Sequence, residues 1–104
     1  MSGMPGGFGN ARAADADEQE ILNSVRGEIQ QHLGSGENIH SIHALKVTTQ
    51  VVAGVNYLFK ARINDSKIVH VKVCKPLPHT QKAPFVLAVD SGAHLTEDSP
   101  LNPI

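Results

Sequence analysis

Cys74 is the one cysteine in a chain of 104 residues, and six histidines accompany it. These residue types could support a thiol nucleophile with an imidazole base, or a metal centre. Neither chemistry is expected here. A papain-like hydrolase needs a cleft between subdomains, and a chain of 104 residues makes one domain. Cys74 alternates with His70 and Lys72, on the face opposite Val69, Val71 and Val73. It reads as a free, partly exposed thiol. His40 and His43 lie in an irregular region without a supporting set of carboxylates or thiols, so no metal site is expected. No catalytic residue and no cofactor is expected either.

The segment with chemistry of another kind is Gln50-Val51-Val52-Ala53-Gly54. It falls between two strand patterns and reads as a hairpin tip. Hairpin turns favour Asn, Asp and Gly, which accept positive φ angles. Valines at a tip place apolar surface in water, and such surface has a partner. A second reading stands beside this one: Val51 and Val52 still belong to strands, and the turn is Ala53-Gly54-Val55-Asn56.

The elements that must hold this segment follow from periodicity. Residues 1–14 read as a flexible arm, rich in glycine, with Met4 and Phe8 as its apolar bulk. A helix follows, capped by Asp15 or Asp17, with Glu18 placed for a capping box. Ile21, Leu22, Val25, Ile29 and Leu33 form its apolar stripe, and Gly34 and Gly36 stop it. Gly27 inside it costs about 1 kcal/mol relative to alanine. After Gly36 the chain alternates. Leu45, Val47, Thr49 and Val51 face one way, Lys46, Thr48 and Gln50 the other. Tyr57, Phe59, Ala61 and Ile63, then Val69, Val71 and Val73, repeat the pattern. Asn64 and Asp65 mark a turn, Pro76 and Pro78 a break, and Phe85, Leu87 and Val89 a last core strand. One buried sheet face with a helix stripe to cover it predicts an α+β fold: one helix packed on a curved antiparallel sheet, residues 1–104 as a single domain.

Composition narrows the function further. Formal net charge is -1 and the lysines are scattered, so nucleic acid is not an expected partner. No stretch approaches the roughly 20 apolar residues of a membrane span. Met1 to Asn10 lacks the basic start and apolar block of a secretory signal. One cysteine allows no internal disulfide, so a reducing, cytoplasmic setting is expected.

Gln50-Val51-Val52-Ala53-Gly54 matches the pattern Q-x-V-x-G of the cystatins, and Asn56-Tyr57 extends it in the manner of the stefins, their disulfide-free branch. Leu77-Pro78-His79 resembles the stefin second hairpin loop, and Pro5-Gly6-Gly7 the amino-terminal trunk. The five-residue motif alone is weak. Three elements in order around the expected helix and strands are much more specific. The resemblance implies a reversible, competitive, tight-binding inhibitor of papain-like cysteine proteases of the cathepsin type. A wedge of arm and two loops would enter the active-site cleft. The implied protease-binding residues are Met4, Pro5, Gly6, Gly7, Gln50, Val51, Val52, Ala53, Gly54, Leu77, Pro78 and His79. The chain would be mostly monomeric, with a domain-swapped dimer reached by opening the first hairpin. The competing reading is a non-inhibitory or self-associating module on the same fold. The stretch from Gly34 to His43 and the ending Leu101-Asn102-Pro103-Ile104 depart from the stefin pattern. No role is carried over to the last residues.

Overall fold

Period-two alternation produces three long strands in the computed structural model, which describes residues 8–34 and 38–104. The elements run β1 (Arg12–Ala13), α1 (Ala16–Ser24), α2 (Arg26–Leu33), β2 (Ile42–Val52), β3 (Gly54–Ile63), β4 (Lys67–Lys75), a 3₁₀ turn (Pro78–Thr80) and β5 (Phe85–Asp90). All strand pairs are antiparallel, in the order β1-β2-β3-β4-β5. Asn64 and Asp65 take left-handed φ of 54° and 60° and close the β3–β4 hairpin. The Asn64 side chain also receives the His40 and Ser41 N–H groups and donates to Asn38 O, fixing the approach to β2.

The helical layer begins as the sequence predicts. Asp15 caps α1 and forms the capping box with Glu18. The stripe is buried: Leu22, Val25 and Ile29 pack on Val47, Phe59, Ala61, Ile63, Val69, Val71 and Val73. The helix is interrupted at Val25, which sits at φ -107° and ψ 13°. Ser24 Oγ donates back to Ile21 O at 2.6 Å, which draws this turn out of the regular ladder. Gly27 is exposed with no atom near the position of a Cβ, so it serves no close approach.

Two expectations change. The last strand was expected to bury Phe85, Leu87 and Val89. Instead Phe85 and Leu87 are exposed, and Val86 and Val89 pack on the core. A bulge opposite Lys72 and Val73 supplies the reason, because one extra residue reverses the facing along β5. The sheet was also expected to bury one face only. Its second face is covered by the chain from 91 to 104, over Lys60 and His70. Lys60 is 6% exposed, and its Nζ donates to Glu97 O at 2.5 Å and Ser99 O at 2.6 Å. A buried ammonium is tolerable because these carbonyls replace its water.

His70 is 2% exposed and pairs across β4 with Lys60 on β3 and Asp90 on β5. It lines a cavity of about 180 Å³ with Asp90, His94 and the tail residues Ser99 and Asn102. Burial, then the Lys60 ammonium, lowers its pKa; Asp90 opposes this and His94 adds to it. The unfolded chain therefore takes up this proton first as pH falls below about 6.5, and the folded chain only at lower pH. Stability from this site is complete above that pH and is lost on acidification. His70→Leu should flatten the loss of melting temperature between about pH 7 and about pH 5. Parallel thermal melts check this, and identical slopes for both proteins would assign the acid sensitivity elsewhere.

Candidate functional site

Ala53 alone separates β2 from β3, with Val52 opposite Gly54 and Val51 opposite Val55. Of the two readings of this segment, the structure takes a combined form. The valines belong to strand ends, and the strand ends are the tip. Val51 is 72% exposed and Val52 43%. Gln50 sits at the base of the tip, where its Oε1 receives Asn56 Nδ2 at 2.9 Å. That bond ties the two strands below the tip.

Gly54 takes φ 113° and is buried. A Cβ built on it would lie 2.5 Å from Lys75 O, 3.1 Å from Pro76 Cα and 3.3 Å from Leu77 N. The glycine therefore serves the packing of the first hairpin on the entry to the second loop. The two loops share a groove lined by Gly54, Val55, Tyr57, Lys75, Pro76, Leu77 and Pro78. Burial and the carboxylates of Glu18 and Asp15 push the Tyr57 hydroxyl pKa up, so it is a neutral wall of this groove near neutral pH.

Leu77 projects from the second loop at 40% exposure. Pro78 and His79 begin the 3₁₀ turn and are exposed. Thr80 donates to Leu77 O through both its N–H (3.0 Å) and its hydroxyl (2.7 Å), and Gln81 closes the turn at φ 57°. With Pro78 fixing one φ, the loop is stiff.

The arm reaches the same end of the sheet. Gly9 N donates to Thr49 O at 3.3 Å, and β1 pairs with Val47 and Lys46. Of the segment read as an arm, Gly9 to Ala14 thus runs along β2. Met4, Pro5, Gly6 and Gly7 lie outside the described residues. The structure brings Gln50 to Gly54 and Leu77 to His79 to one edge, with Phe8 and Gly9 arriving beside β2. Lys75 and Pro76, the seat of Gly54, carry no sign of this role in the sequence, since no spacing announces a backbone seat.

This edge has apolar tips, stiff loops and no charged side chain between Gln50 and Gly54. It can enter an apolar crevice but supplies no nucleophile. Cys74 is half-buried, paired with Asn56 and Phe85. Among the described residues, no group of His, Cys, Asp or Glu is placed to hold a metal ion. Among them, no helix is long and apolar enough to cross a membrane.

The cystatin domain matches residues 6–87. The chain belongs to the cystatin family. Within it the chain is of stefin type, and its similarity to named relatives is spread over most of both partners. It is 39% identical to cystatin-A of Homo sapiens over 75 residues, covering 72% of this chain and 74% of that one. It is 34% identical to stefin-C of Bos taurus over 77 residues, covering 74% of each. It is 31% identical to leukocyte cysteine proteinase inhibitor 1 of Sus scrofa over 78 residues, covering 75% of this chain and 74% of that one.

Proposed function

We propose that this cystatin is a reversible, competitive, tight-binding inhibitor of papain-like cysteine proteases of the cathepsin type. The observation that carries the reading is the seating of Gly54 on Lys75 to Leu77, which sets the second loop against the hairpin that carries exposed Val51 and Val52. The family and the pig relative's name, a cysteine proteinase inhibitor, support the same target class. Met4 to Gly7, Gln50 to Gly54 and Leu77 to His79 make the contact surface. Val51, Val52 and Leu77 shed water against the cleft walls, at roughly 25 cal/mol per Å². The stiff loops lose little entropy on docking. A cytoplasmic setting accords with a free thiol at Cys74.

The wedge fills the cleft and offers no scissile bond to the catalytic thiolate. Papain whose catalytic thiol has been methylthiolated should therefore still bind this protein in a calorimetric titration. Absence of heat with blocked papain, alongside inhibition of active papain, would mean that the thiolate itself is engaged.

Cys74 gives a further check. It lies on the face opposite Val71 and Val73 and outside the proposed contact surface. Alkylating it with iodoacetamide should change the inhibition constant by less than about threefold. A large loss with the fold intact would move Cys74 into the contact surface.

A further inference from the structure

We propose that Thr48 is a positioning residue for the amino-terminal arm: its buried hydroxyl clamps the Gly9 carbonyl and fixes where the arm leaves the sheet beside the first hairpin. Thr48 Oγ1 donates to Gly9 O at 2.6 Å, and Gly9 N donates to Thr49 O at 3.3 Å. Consecutive residues of β2 thus hold both polar groups of one glycine. Thr48 is 3% exposed, although it stands on the polar side of the strand next to exposed Lys46. Phe8 is held as well: its ring centroid lies 5.8 Å from Lys72 Nζ, within the range of cation–π attraction. Below the clamp, β1 pairs with Val47 and Lys46, and the Arg12 guanidinium binds the Glu18 carboxylate. Anchoring therefore continues up to Phe8, and Gly6 and Gly7, two of the proposed contact residues, directly precede it.

The inference rests on the inhibitor reading and adds a cause to it. Glycine loses more backbone freedom on ordering than any other residue. With Gly9 already ordered in the free protein, that cost is not incurred on binding. A fixed exit point also raises the effective concentration of the arm at the cleft once the loops have docked. The clamp should thus act on dissociation and leave the encounter unchanged.

The test compares the full chain with Thr48→Val and Thr48→Ser. Thr48→Val keeps the shape of the side chain and removes the donor. It should raise the dissociation rate from papain about fivefold at an unchanged association rate. Thr48→Ser should restore the original rate. Amide hydrogen exchange at Gly9 reads the clamp without any protease: it should accelerate in Thr48→Val while Phe59 and Val71 keep their protection. Should Thr48→Val fold poorly, Lys72→Ala serves instead, with an expected rise in dissociation of about twofold. Unchanged dissociation in both variants overturns the proposal, as does unchanged exchange at Gly9. Loss of protection across the whole sheet, unrestored by Thr48→Ser, would make Thr48 a packing residue only and overturns it too. Failure of the unaltered chain to inhibit papain would instead strike the inhibitor reading, with the exchange result still deciding the clamp.

Discussion

Gly54→Ala should destabilise the free protein by on the order of 3 kcal/mol and weaken protease binding on the order of 100-fold. Two costs combine. The residue sits at φ 113°, where a side chain is strained by about 1–3 kcal/mol. Its Cβ would also lie 2.5 Å from Lys75 O, a backbone atom that no rotamer change can clear. Overpacking of this kind costs about 1–3 kcal/mol. Relief requires the second loop to move away from the first, which parts Leu77 from the first hairpin. A side chain too large for the cleft of the target is the alternative cause of such a loss. The geometry moves the cause into the inhibitor itself. Alanine should therefore carry most of the effect of leucine, because the clash is at Cβ. Thermal melts of both variants without protease decide between these causes. An Ala variant as stable as the original, with affinity falling only as the side chain grows, would return the cause to the cleft.

Val51→Asp should leave stability nearly unchanged while weakening affinity to the same degree. Among the described residues, Val51 is the most exposed of the large apolar side chains, at 72%, and its removal leaves the core untouched. The stability change should stay below about 1 kcal/mol. In the complex the valine would bury its side chain, worth about 1.5–3 kcal/mol, and a carboxylate there would have to shed its water. Together these predict a loss of about 100-fold or more in the inhibition constant. Inhibition assays beside thermal melts separate this variant from Gly54→Ala. Val51→Asp with unaltered inhibition would remove the first hairpin from the contact surface.

Much of this fold is legible in the sequence because its signals are local and periodic. The stripe Leu22, Val25 and Ile29 is buried against the alternating Phe59, Ala61 and Ile63, as the two periods require. Asp15 with Glu18, and Asn64 with Asp65, announce a cap and a turn by chemistry confined to a few residues. What stays hidden depends on distant chain. Lys60 and His70 alternate like solvent-facing residues, yet the tail covers them, and Lys60 is satisfied by carbonyls of Glu97 and Ser99 far along the sequence. Carbonyls carry no side-chain signature, so no pattern marks the pairing. The bulge opposite Lys72 and Val73 likewise reverses β5 without a sequence sign. In the candidate site, the motif marks Gln50 to Gly54, but the role of Gly54 depends on where Lys75 and Pro76 lie. Thr48 was invisible for the same reason: its partner is a backbone carbonyl in another segment.

The most direct measurement is the titration of active papain with this protein, with trypsin as the control. Papain activity should fall in proportion to added protein, reach zero near a one-to-one ratio, and return when the complex is diluted into excess substrate, while trypsin is unaffected. Papain that keeps its full activity in molar excess of this protein would contradict the account.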